Sequence, residues 1–82
     1  MFKLSAHAKQ RNLRRKIPLR RIKETVYKSQ MIVKSGRKRK LRRRVYGNKI
    51  LEVVTITEGS KITVITQYYL EPSYENKVRQ SN

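Results

Sequence analysis

The sequence predicts an α+β domain: two N-terminal helices packed on one face of a three- to four-stranded antiparallel sheet. Two observations lead there. Apolar residues recur at helical spacing up to about residue 28 and at alternate positions from residue 30 onward. The most apolar stretches, 49–57 and 61–70, are joined by a turn too short for anything but a hairpin, so they must run antiparallel.

The elements follow in chain order. Ser5 is a good helix N-cap, and residues 6–16 contain no Gly or Pro, with Ala6, Leu13 and Ile17 falling close to one face. Pro18 interrupts and suits the first turn of a second helix over 18–28, on which Leu19, Ile22 and Val26 keep the 3-and-4 spacing. A short strand at Phe2-Lys3-Leu4 can precede the helices. After Ser29 the period becomes two. Residues 30–34 form a short β-rich segment, and Ser35-Gly36 a turn. A strand then runs from about Lys40 to Tyr46, with Leu41, Arg43 and Val45 alternating against Lys40, Arg42, Arg44 and Tyr46. Gly47-Asn48 reads as a tight hairpin turn. Residues 49–57 are apolar on both faces, which marks a central strand. Residues 61–70 form the last strand, Pro72 ends it, and 73–82 is a polar tail. The domain proper is 1–72.

Composition narrows the function. In 82 residues, Leu, Ile and Val total 20, enough for one thin core. The absence of cysteine rules out disulfides and thiolate metal sites, and a single histidine leaves no zinc set, so no metal or other cofactor is expected. No apolar run reaches the roughly 20 residues that span a bilayer, and the N-terminus lacks a signal-peptide segment. The expectation is a soluble, cytoplasmic protein without a membrane partner.

Charge is the dominant feature. The net charge is +17, and residues 1–44 carry 18 Lys or Arg against one acid, Glu24. Residues 45–82 are balanced, four against four. Solubility alone does not require such segregation, whereas a surface for a polyanion does. The densest run, Arg37, Lys38, Arg39, Lys40, Arg42, Arg43 and Arg44, is the candidate nucleic-acid-binding segment. Its residues from Lys40 read as an ordered strand, with a disordered basic loop as the alternative. Arg binds phosphate bidentately and stacks on bases, and tyrosines such as Tyr46 offer stacking platforms for unpaired bases.

The lone histidine adds a candidate chemistry. His7, Arg11 and Arg14 stand at i, i+4 and i+7, on one helical face. An imidazole moves protons near neutral pH, and neighbouring arginines stabilise charge building on a phosphate. RNA cleavage by 2′-hydroxyl attack needs only those elements plus a second proton-transfer group, for which Tyr46, Tyr68, a lysine or solvent is available. The plainer alternative is that His7 is an ordinary half-exposed helix residue. Glu52, between apolar neighbours, is expected to be buried or paired with an arginine.

The order of motifs resembles a family of small microbial domains. The match comprises His7-Ala8-Lys9-Gln10-Arg11, the isoleucines Ile17 and Ile22, Tyr46-Gly47-Asn48-Lys49-Ile50-Leu51-Glu52-Val53-Val54, and Val64-Ile65-Thr66-Gln67-Tyr68, covering about residues 5–70. That family is similar to the RelE-like and BrnT-like toxins. The resemblance implies a RelE-like fold and metal-independent endoribonuclease activity, with RNA, including ribosome-bound messenger, as substrate and an acidic antitoxin as partner. It points to His7, Arg11, Tyr46, Thr66 and Tyr68. The basic run at 37–44 departs from the family pattern and favours the alternative of a non-catalytic ribosome- or nucleoid-associated nucleic-acid-binding protein.

Overall fold

The computed structural model describes residues 2–36 and 38–70. The polar tail at 73–82 and Arg37 lie outside the described residues. In chain order the elements are β1 (Phe2–Leu4), α1 (Ala6–Arg15), α2 (Leu19–Tyr27), β2 (Met31–Lys34), β3 (Arg39–Tyr46), β4 (Lys49–Glu58) and β5 (Lys61–Leu70). The fold is α+β, as the periodicities require. The sheet has five strands in the order β1-β5-β4-β3-β2, which corrects the expected three or four. It is mixed rather than antiparallel, because β1 pairs parallel with β5, Phe2 opposite Ile62 and Leu4 opposite Val64. The outer side of β5 would otherwise be an open edge. The chain between the two strands spans nearly the whole fold, so nothing forces a hairpin geometry.

The loops behave as the turn chemistry dictates. Gly47 has φ 63° in the two-residue turn between β3 and β4, a conformation that costs glycine no Cβ clash. A register shift at Val54/Thr55 interrupts the β4–β5 ladder. It leaves Ile65 without a cross-strand partner and re-aims the end of β5.

The core lies between the helices and one face of the sheet. Ala8, Ile17, Ile22 and Val26 pack there against Leu51, Val53 and Val64, with Phe2, Leu4, Tyr46, Ile62 and Tyr69 around them. Complete burial of a Val, Leu or Ile side chain contributes about 1.5–3 kcal/mol, so this small set carries much of the stability. On the opposite face the row Ile50, Glu52 and Val54 is also buried, as expected of a central strand.

The helix faces depart from expectation at Ala6, which is exposed, and at two leucines. Leu13 is 78% exposed and Leu19 58%, whereas Ala8 and Thr25 are buried. The reason is placement. The backbone N–H of Ser5 donates to Val64 O (2.9 Å) and the Gln67 amide nitrogen donates to Ala8 O (3.0 Å), which lays α1 alongside β5. The small side chain of Ala8 permits that approach. Leu13, five positions on, is rotated about 140° from Ala8 and points away from the sheet. On α2, the Thr25 hydroxyl donates to Arg21 O (2.8 Å), so a polar residue takes a core position at no cost in unsatisfied hydrogen bonds.

Asn12 joins the two helices. Its Nδ2 donates to Ile17 O (2.8 Å) and its Oδ1 accepts from Ile17 N (3.1 Å). Lys16, at φ 53°, ends α1 in a left-handed cap between them. No helix among the described residues is long and apolar enough to cross a membrane. Asn12→Ala removes both bonds and leaves the Ile17 groups part-buried and unpaired. It is expected to lower unfolding stability by about 1–3 kcal/mol in urea titration.

Candidate nucleic-acid interface

The Ser5 hydroxyl accepts from Ala8 N (3.1 Å) and caps α1. The helix then presents His7, Arg11 and Arg14 on one exposed face, as their spacing predicts. These side chains, with Gln10 and Arg15, line a polar pocket of about 390 Å³. Arg11 Nε donates to His7 Nε2 at 3.4 Å, so that nitrogen acts as acceptor. Arg15 fixes the pocket to the sheet. It donates to Thr66 Oγ1 (3.1 Å) and Gln67 O (2.9 Å), and its guanidinium sits 5.8 Å from the centroid of the Tyr68 ring. Sequence reasoning missed Arg15, although it stands four positions after Arg11 and the i+4 rule that selected Arg11 would have found it.

Tyr68 comes next to this pocket through its ring. Its hydroxyl donates to Glu52 Oε2. The other oxygen of Glu52 accepts from Arg43 Nε (2.6 Å). Arg43, Glu52 and Tyr68 are register partners across β3, β4 and β5, so the ladder itself brings the three together. Glu52 is 3% exposed and paired with an arginine, which answers both alternatives raised by its position.

Tyr46 does not join the His7 pocket. It lies on the helix-covered face beneath α2, where its hydroxyl donates to Glu24 Oε1 (2.6 Å). The Arg21 guanidinium stacks 4.8 Å from its ring centroid. Arg44 also faces α2, with Nε 3.5 Å from Glu24 Oε1. A single site uniting Tyr46 and Arg44 with His7 is therefore not formed: α1 packs on β5, while α2 packs on β3 and β4.

The basic run divides. Arg42 donates to Val26 O (3.1 Å) and Thr55 Oγ1 (3.0 Å), and Arg44 donates to Lys28 O (2.9 Å). Both arginines thus bind carbonyls at the C-terminal end of α2, where the helix dipole favours cations. Helix α2 has no basic residue in its own last turn. The strand supplies those charges instead. Lys38 and Arg39 are exposed at the β2–β3 turn, and Lys40 is partly exposed. Ser35 N donates to Arg39 O (3.0 Å) and Thr57 N to Lys38 O (3.3 Å). Exposed Lys9, Arg11, Arg14, Lys16, Arg20, Lys23 and Lys28 extend the positive surface over both helices. Among the described residues the carboxylates are Glu24, Glu52 and Glu58, and the first two already face arginines. No group of three or more His, Cys, Asp or Glu suited to a metal ion occurs among them.

Three groups are shifted by this packing, the Arg42 guanidinium being lowered by burial. The hydrogen bond from Tyr46, aided by Arg44, Lys28 and Arg20, holds the Glu24 carboxyl below its ordinary value of 4.5 against a smaller opposing effect of burial. Burial, and then the bond to Glu24, raises the Tyr46 phenol above 10.0. Comparison with protein-family models, curated proteins and solved structures finds no match to the chain.

Glu24 contributes stability that is fully present above the ordinary carboxyl value of 4.5 and is lost as pH falls through its own, lower pKa. Glu24→Gln is therefore expected to flatten the acid limb of a stability–pH curve measured by urea unfolding. A limb as steep as that of the wild type would contradict the assignment. In the basic run, Arg42→Ala is expected to cost about 1–3 kcal/mol, and Lys38→Ala with Arg39→Ala less than about 0.5 kcal/mol. Thermal melts of the two variants distinguish the inward arginine from the outward pair.

Proposed function

We propose that the protein binds RNA across its positive surface and cleaves it in the His7 pocket without a metal ion. The observation that carries this reading is the pocket itself. Among the described residues it gathers the one imidazole of the chain with three guanidinium groups and no carboxylate. A phosphodiester seated there would be held by Arg11, Arg14 and Arg15, the last oriented by Thr66 and the Gln67 carbonyl. Once Arg11 turns from His7 Nε2 to the phosphate, that nitrogen would take the proton from the 2′-hydroxyl as the hydroxyl oxygen attacks phosphorus. The bond to the 5′-oxygen breaks, a 2′,3′-cyclic phosphate remains, and the 5′-oxygen is protonated by solvent. Solvent is preferred to Tyr68, whose hydroxyl is engaged by Glu52. The arginines stabilise the charge on the phosphorane. A toxin held in check by an acidic antitoxin is the physiological setting this chemistry suits.

A second reading, nucleic-acid binding without cleavage, is supported by the exposed Lys38 and Arg39 and the partly exposed Lys40 at the far end of the sheet. The two separate in one experiment, an RNA-cleavage time course in EDTA with free RNA and with translating ribosomes. Cleavage is expected to survive EDTA and to slow by about 10²-fold or more in His7→Ala, the typical share of one proton-transfer group. Affinity should barely change. Tight binding without cleavage on either substrate would establish the second reading. In that case replacing Lys38 and Arg39 should reduce the log–log salt slope by roughly 0.7 per lost contact on single strands.

A further inference from the structure

A second cleft lies on the other side of α1. It has a volume of about 660 Å³ and is walled by Phe2, Leu4, Leu13 and Leu19, with Lys3 and Lys9 at its charged positions. Tyr27 extends the apolar surface, its ring centroid 6.1 Å from that of Phe2 and its side chain half exposed. Leu19, Lys23 and Tyr27 follow one another at four-residue spacing along α2, and all three are exposed. Among the described residues no carboxylate lines the cleft. One wall is β1, an edge strand whose outer side no strand pairs among the described residues.

Two exposed leucines at the junction of two helices are hard to explain by folding. They lie outside the core cluster. A concave apolar cleft accepts side chains and so fits a peptide better than a flat lipid surface. A second copy of this chain is disfavoured, because closing two such clefts together would confront Lys3 and Lys9 with more cations in a molecule of net charge +17.

We propose that this cleft is a protein-docking site for an acidic segment with apolar anchors, two or three Leu, Ile or Phe side chains flanked by Asp or Glu. The anchors enter between Leu13, Leu19 and Phe2, and the flanking carboxylates meet Lys3, Lys9 and Lys23. The site lies on the face of α1 opposite His7, and the proposal stands whether or not the His7 pocket cleaves RNA.

The test selects random 12-residue peptides displayed on phage against the full chain, then titrates the leading synthetic peptide. The expected peptides combine apolar anchors with acidic flanks. Their Kd should weaken at least about tenfold for Leu13→Ser and Leu19→Ser, and also for the charge reversal Lys3→Glu with Lys9→Glu. Amide shifts should gather at Lys3, Leu4, Leu13 and Leu19. The leucines are exposed, so unchanged melting curves will show that the serine variants fold. The proposal is overturned if no acidic–apolar sequence is enriched, if binding ignores the leucines, or if the shifts gather around His7 and Arg11. Leucine-dependent binding of an RNA oligonucleotide or of anionic phospholipid vesicles, or leucine-dependent dimerisation in sedimentation, would equally overturn it.

Discussion

Three consecutive arginines on an interior strand set a demand that the rest of the molecule meets. A charge taken from water without a partner costs several kcal/mol, far more than a small core can absorb. Strand alternation sends Arg43 to one face and Arg42 and Arg44 to the other. Arg43 finds Glu52 directly across the ladder. Arg42 and Arg44 find the end of a helix, where Val26 O and Lys28 O need donors and the dipole is negative. Helix α2 must therefore lie with its C-terminus over β3. Tyr46, two residues past Arg44, then meets Glu24 and Arg21 from the same helix.

With α2 committed to β3 and β4, α1 is left with β5, and it makes that contact through a narrow strip. Ala8 permits a close approach, Gln67 and Arg15 tie the helix to the β5 backbone, and the remaining circumference stays free. One free side carries His7 and three arginines. The other carries Lys9 and Leu13. A helix with so little of its surface in the core can present two chemically different faces, one cationic and one largely apolar.

Much of this was legible in the sequence. The change of period near residue 29 located the helices and strands to within a residue or two. Gly47-Asn48 gave its turn, and i, i+4 spacing brought His7, Arg11 and Arg14 together. What stayed hidden was set by tertiary placement. Periodicity identifies Leu13 and Leu19 as apolar but cannot say that the sheet lies on another side of each helix. It cannot place Phe2–Leu4 beside residues some 60 positions away, nor show that the Tyr68 hydroxyl is claimed by Glu52. The basic run is the clearest instance. Seven cations in twelve residues read as one surface, yet strand parity and a helix terminus turn three of them to structural use.

The parallel pairing of β1 with β5 also bears on how the chain assembles. Residues 2–4, the first described element, have no place in the sheet until residues 62–64 exist to receive them. During synthesis the N-terminal half, which holds nearly all the excess charge, emerges well before its last partner strand. Contacts of such long sequence separation form late and slow the search for the native state. Strands β2 to β5 can pair with their neighbours in sequence, but completion of the sheet waits on β1 meeting β5. The cleft beside Phe2 and Leu4 comes into being only at its completion, so a partner that reads that cleft distinguishes a finished molecule from a nascent one.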